Sequence, residues 1–215
     1  RKRLTSFDKS FSSNINFIKP DKYADLENIT NYHGKMNTSG SNLSYPALSF
    51  YKNDLNINFE KFNKIINFNK PAKEITVEGG MKLYQLLNFL LKHGLWVPQL
   101  PGYLLISVGG AVAANVHGKT SGYFGTIRKS VKKILLFHKT HGWINLSERE
   151  NKDIFLLTLG GLGLTGTIVS VTFKLEDFCF TEFKTIRKKI FSINELIRHF
   201  KDIKPKKDEL IYSWN

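Results

Sequence analysis

The stretch Gly94-Leu95-Trp96-Val97-Pro98-Gln99-Leu100-Pro101-Gly102, followed after four intervening residues by Ser107-Val108-Gly109-Gly110-Ala111-Val112-Ala113-Ala114-Asn115-Val116-His117-Gly118-Lys119, decides the reading of this 215-residue chain. Gly109, Gly110, Ala111, Ala113 and Ala114 crowd into six positions. Side chains this small let a backbone come close to a ligand. Pro101-Gly102 supplies a turn just before them, and turns of this kind hold phosphate groups through oriented amides. A tightly packed core turn has the same composition, so both readings stand at this point. His117-Gly118-Lys119 sets an imidazole and an ammonium one residue apart. The lysine suits an anionic or hydroxylated ligand, and the histidine suits polarising a hydroxyl. An exposed turn with no such role is equally consistent with those three residues.

Outward from that stretch, local patterning divides the chain. Toward the N-terminus, Leu83, Leu86, Leu87 and Leu90 recur at helical spacing and predict a helix over 81–93, stopped by Gly94. Residues 14–19, 35–38, 55–59 and 74–77 read as strands. A helix starting at Asp21 puts Tyr23, Leu26 and Ile29 on one face. Ser39 to Ser44 is a loop of small polar residues. Toward the C-terminus, 133–137 and 143–146 form a hairpin around His141-Gly142. A short helix covers 153–159. A strand covers 167–175, with Val169, Val171, Phe173 and Leu175 on one face. Ser192 and Glu195 make a capping box for a helix to about Phe200, and 210–214 reads as a last strand. One βαβ-like part followed by antiparallel strands is an α+β arrangement.

Several classes drop out. Gly161-Leu162-Gly163-Leu164-Thr165-Gly166 matches a dinucleotide fingerprint in letters only. That fingerprint needs a strand before it and a helix after it; here a helical segment precedes and the β-branched run from Thr167 follows. No nucleophile elbow and no P-loop occurs. His138 and His141 flank a turn with no third ligand in view, so no metal is expected. A single cysteine, Cys179, excludes a disulfide framework. The longest apolar run, residues 103–116, is shorter than the ~20 residues of a spanning helix. No secretory leader is read behind Arg1-Lys2-Arg3, and a cytoplasmic location is expected. The net charge of +14 comes from scattered lysines rather than a basic stripe. Nucleic acid is therefore not the expected partner, while an anionic ligand or a membrane surface is compatible.

Taken together, three segments resemble the FAD-binding domain of the vanillyl-alcohol oxidase/p-cresol methylhydroxylase (PCMH-type) family of FAD-linked oxidases. They are Gly40-Ser41-Asn42-Leu43-Ser44-Tyr45, the long stretch quoted first, and Leu159-Gly160-Gly161-Leu162-Gly163-Leu164-Thr165-Gly166-Thr167-Ile168. The second and third look most like the decaprenylphosphoryl-ribose oxidase branch. The resemblance covers about residues 14–176. It implies a two-lobed FAD domain over residues 1–178, with lobe one at about 14–98 and lobe two at about 99–178. Residues 179–215 then begin a substrate-binding cap domain that continues beyond this chain.

The resemblance also implies roles. Gly40, Ser41, Asn42, Leu43 and Ser44 wrap the FAD diphosphate. Pro101, Gly102, Ser107, Gly109 and Gly110 line the diphosphate and ribityl chain. Ala113, Ala114, His117 and Gly118 lie near the isoalloxazine, and Gly163 and Ile168 contact the cofactor. Tyr45 and Lys119 face the substrate, with His117 and Lys119 as the catalytic pair. Members with covalent flavin carry a histidine where this chain has Leu43, so noncovalent FAD is expected. The family's arginine before the first glycine is Ser39 here, and its Gly-Asp after Ser-Tyr is Pro46-Ala47. The implied activity is oxidation of a hydroxyl on a small-molecule or lipid-linked sugar, or on a polyol, by hydride transfer to flavin N5. A noncatalytic FAD-binding fragment is the alternative. A peripheral place at a membrane is compatible with a lipid-linked substrate.

Overall fold

A computed structural model describes residues 1–45, 48–178, 180, 182 and 184–213. Pro46, Ala47 and Cys179, named above, and Trp214 in the expected last strand lie outside the described residues. The chain opens with an antiparallel hairpin, β1 (Lys2–Thr5) and β2 (Ser12–Ile18). Helix α1 (Tyr23–Asn28) crosses over to β3 (Met36–Ser39), and β4 (Leu55–Asn58) inserts between β2 and β3, parallel to both. The resulting sheet has the order β1-β2-β4-β3. Leu26 of α1 and Ile29 just after it pack onto Leu55, Ile57 and Phe59, because a parallel crossover must cover the sheet face it spans.

The second sheet is antiparallel. Its strands are β5 (Ile65–Asn69), β6 (Glu74–Glu78), β8 (Val131–His138), β9 (Gly142–Ser147) and β10 (Thr167–Lys174), in the order β5-β6-β10-β8-β9. Between β6 and β8 the chain makes α2 (Leu83–Leu91), β7 (Leu95–Trp96), α3 (Val108–Ala113) and α4 (Ser121–Phe124). Helix α5 (Lys152–Thr158) precedes β10, β11 (Glu176–Asp177) pairs with β7, and α6 (Ile193–Asp202) follows. The architecture is α+β, as the patterning indicated. No described helix is long and apolar enough to cross a membrane.

Four expectations change. A lobe boundary near Pro98 does not separate the sheets: β5 and β6 lie before Pro98 yet pair in the second sheet, so the sheets divide between Asn58 and Ile65. Helix α2 begins at Leu83 rather than 81, because Met81 O accepts from Val108 N at 2.8 Å and Lys82 bridges to Ser107. Val169 does not share a face with Val171 and Phe173. A β-bulge between Ile168 and Ser170 resets the alternation, sending Val169 to the α1 cluster and Ile168 to the cluster of Val171. Residues 210–213 form no strand, and no strand occurs among the described residues of 180–190. A strand exists only beside a partner backbone, whereas α6 satisfies its own amides and its Ser192 Oγ accepts from Glu195 N at 3.2 Å.

The two sheets share a core. Phe137 and Val169 of the second sheet join Leu26, Ile57 and Phe59 of the first. Tyr23 on α1 donates to Glu78 Oε1 on β6 at 2.7 Å, and Trp143 on β9 donates to Glu27 Oε1 at 2.9 Å.

Candidate functional site

The loop after β3 and helix α3 face one another across a cleft of about 390 Å³ between the sheets. One wall is residues 38–45 with Leu48 and Ser49; the other is Gly79, Ile106, Ser107, Gly109, Gly110, Ala113, Ala114 and Val116. Leu162, Gly163, Gly166 and Ile168 close a third side. The bulge in β10 is what turns Ile168 toward this space.

The loop is held from below by a buried polar network. Ser39 Oγ donates to Asn56 Oδ1 at 2.7 Å. Asn58 Nδ2 donates to Ser39 Oγ at 3.1 Å and to Gly40 O at 2.9 Å, and Asn56 Nδ2 donates to Ser49 O at 2.6 Å. Asn56 and Asn58 are almost wholly buried. Across the cleft, Ser107 caps α3 by accepting from Gly110 N, and Gly109 N donates to Gly79 O at 2.7 Å. Thr38 Oγ1 and Thr167 Oγ1, 2.5 Å apart, tie the two sheets together at the cleft.

No lining side chain is charged. An anionic group in this cleft is therefore met by N–H and O–H dipoles. Among the described residues, nothing accepts from the backbone N–H of Ser41, Asn42 or Leu43. Ser41 Oγ and Asn42 Oδ1 are shut off from solvent, also without a partner among the described residues. A buried polar group left unpaired costs about 1–3 kcal/mol, which a bound ligand with matching groups recovers. A wider groove of about 570 Å³, edged by Lys19, Asp21, Glu60, Lys61, Lys64 and Lys82, offers no such orphans. Both of its carboxylates are already paired, Glu60 with Lys19 and Lys82 and Asp21 with Lys61.

Of the residues singled out from sequence, Gly40, Ser41, Asn42, Leu43, Ser44, Tyr45, Ser107, Gly109, Gly110, Ala113, Ala114, Gly163 and Ile168 line the cleft. Pro101, Gly102, His117, Gly118 and Lys119 do not. Gly118 is a glycine for packing: a Cβ there would stand 2.0 Å from Leu100 O. His117 is exposed beside the lining residue Val116, and the Lys119 ammonium lies 4.0 Å from the centre of the Tyr212 ring. Sequence reasoning missed Asn56 and Asn58. Their alternation in Leu55-Asn56-Ile57-Asn58 suggests a solvent face, whereas every residue of β4 is buried. Ser39 is the hydroxyl those asparagines bind.

A family model described as FAD binding domain matches residues 16–144. The chain belongs to that family. This FAD domain is 34% identical over 120 residues to decaprenylphosphoryl-beta-D-ribose oxidase of Mycolicibacterium smegmatis, covering 55% of this chain and 26% of the relative. It is 26% identical over 198 residues to the mitochondrial L-galactono-1,4-lactone dehydrogenase of Arabidopsis thaliana, covering 86% of this chain and 32% of the relative. The chain thus spans about a quarter to a third of the length of these curated relatives. Among solved structures, Physcomitrella patens BBE-like 1 shares the fold at TM-score 0.68 and 22% identity, over 75% of this chain and 36% of that one. An alkyldihydroxyacetonephosphate synthase structure does so at TM-score 0.66 and 18% identity, over 75% and 34%. The cleft fits the family's cofactor: the unpaired N–H groups and Ser41 suit a diphosphate, and the short side chains of α3 leave room for a flat ring.

Proposed function

We propose that this chain is the cofactor-binding part of a FAD-linked oxidoreductase that oxidises a hydroxyl of a sugar, polyol or lipid-linked sugar, with FAD held noncovalently. The carrying observation is the uncharged cleft between the sheets, whose loop presents unpaired N–H groups and the orphaned Ser41 and Asn42. Residues 1–178 form the cofactor domain and 179–215 begin a cap. Bound FAD supplies a two-electron acceptor. The chain's own residues bind and orient. The backbone of 40–44 and the Ser41 hydroxyl hold the diphosphate, and Ala113, Ala114, Gly163 and Ile168 admit the ring system. Leu43 offers no nucleophile, so no covalent attachment forms at that position. His117 and Lys119 lie toward the substrate, the imidazole polarising the hydroxyl and the ammonium holding substrate oxygens.

The test is the visible spectrum of the chain after incubation with FAD and desalting. A retained flavin band, released by acid precipitation, is the expected result. A folded chain that emerges colourless overturns the reading. In the whole protein, Lys119→Ala is expected to weaken substrate-driven flavin bleaching while FAD stays bound. Unchanged bleaching kinetics remove Lys119 from the substrate side.

A further inference from the structure

Residues 203–213 lie back along the turn that carries His117 and Lys119. The segment is anchored at separate points. Pro205 packs on Gly122 so closely that a Cβ there would stand 2.5 Å from its Cγ. Lys207 Nζ pairs with Glu176 Oε2 at 3.2 Å. Ile211 N donates to Lys119 O at 3.0 Å. The next residue, Tyr212, then places its ring 4.0 Å from the Lys119 ammonium. The lysine is equally constrained at its base. Gly118 N donates to Ser121 Oγ at 2.9 Å, and Thr120 Oγ1 donates to Pro98 O. Among the described residues no carboxylate lies within 4 Å of Lys119.

We propose that Tyr212 is the positioning residue for Lys119, seating the ammonium on its π face with its N–H donors available. The chemistry favours a ring over a carboxylate in this role. A carboxylate would neutralise the ammonium and occupy its donors. A π face attracts the cation through its quadrupole and takes up no full hydrogen bond. The ligand class that suits such a seat is an oxygen anion or a vicinal pair of hydroxyls. The backbone bond from Ile211 to Lys119 makes the arrangement self-registering, since the residue that positions the ring is tied to the lysine it serves. That the ligand is the enzyme's substrate rests on the function proposed above; the seat itself does not.

The experiment is competitive trace acetylation of the chain without FAD or substrate, read at each lysine by peptide mass spectrometry. Native protein, Tyr212→Phe and Tyr212→Leu are compared, with Lys19 and Lys132 as internal references. An exposed cation–π contact of about 0.5–1 kcal/mol must be broken before the amine is labelled, which predicts labelling of Lys119 about two- to fivefold faster in Tyr212→Leu and native-like labelling in Tyr212→Phe. Equal labelling in native and Leu forms overturns the proposal, as does a Phe form that behaves like Leu. In the whole protein loaded with FAD, Tyr212→Leu raises the substrate concentration for half-maximal flavin reduction by a similar factor, with the limiting rate unchanged. A change in labelling without a change in reduction keeps the seat and overturns the substrate role of Lys119.

Discussion

Gly40→Ala is the perturbation whose consequence the geometry defines most sharply. The backbone of Gly40 is outside the left-handed region, so an alanine meets no torsional penalty there. The cost is contact across the cleft: the new Cβ would stand 2.0 Å from Ser107 Oγ and 2.6 Å from Ser107 Cβ. Rotating the serine hydroxyl relieves the first clash and not the second. Carbon atoms rest at about 3.5–4.0 Å, so the walls must part by about 1 Å. Neither wall yields freely. Asn58 holds Gly40 O, and the Ser107 end of α3 is tied through Val108 N to Met81 O and through Gly109 N to Gly79 O. Overpacking of this kind costs about 1–3 kcal/mol, and disturbing the Ser107 cap adds about 1 kcal/mol. In a domain of this size that corresponds to a Tm lowered by about 4–16 °C. FAD affinity falls about tenfold for each 1.4 kcal/mol that the widened cleft withholds from binding. The assay is a thermal melt with a flavin-fluorescence titration. Ser107→Gly removes both clashing atoms, so the double variant is expected to recover most of the loss. Native Tm and affinity in Gly40→Ala, or simple additivity in the double variant, refutes the argument.

Further outcomes follow from the surrounding contacts. Asn58→Ala strands Gly40 O and Ser39 Oγ, and is expected to cost about 1–3 kcal/mol and to weaken FAD binding by equilibrium titration. Tyr23→Phe removes the hydrogen bond that joins α1 to Glu78 on β6. Loss of a bond to a charged group costs about 1.5–3 kcal/mol, visible as a lower denaturation midpoint with an unchanged m-value. In the native protein, desolvation and then the Glu78 hydrogen bond push the Tyr23 phenol well above its ordinary value, so alkaline titration by ultraviolet absorbance should find it among the last tyrosines to ionise. The Glu60 carboxyl is held below its ordinary value near 4.5, chiefly by its hydrogen bond from Lys19. A depressed carboxylate stabilises the fold above the unfolded value, and that contribution is lost as pH falls through the folded one. The stability difference between native protein and Lys19→Ala is therefore expected to be full at pH 6 and to shrink as pH falls below 4.5 through the depressed folded value, in parallel urea melts.

Much of the secondary structure was legible because its causes are local. The leucine spacing of α2, the turn at His141-Gly142 and the serine cap of α6 all act within a few residues of themselves. The small-residue walls of the cleft were legible for a different reason. Gly40, Gly109 and Gly110 are small because backbone must come close to something, and that requirement survives in composition. Asn56 and Asn58 were opaque, since a buried asparagine and a surface one look alike until the strand on each side is known. The division between the two sheets was opaque on the same ground: β5 and β6 carry nothing local that selects the second sheet over the first.

By itself, then, the sequence determined most of the longer elements, the small-residue walls of the cleft and membership in a FAD-binding family, because propensity, capping and close approach are short-range demands. Tertiary structure alone decided which strands pair, where the β10 bulge turns Ile168, how two asparagines brace the loop, and that Lys119 rests on Tyr212. Those are contacts between residues far apart in the chain, and only the folded backbone brings their donors, acceptors and rings within reach of one another.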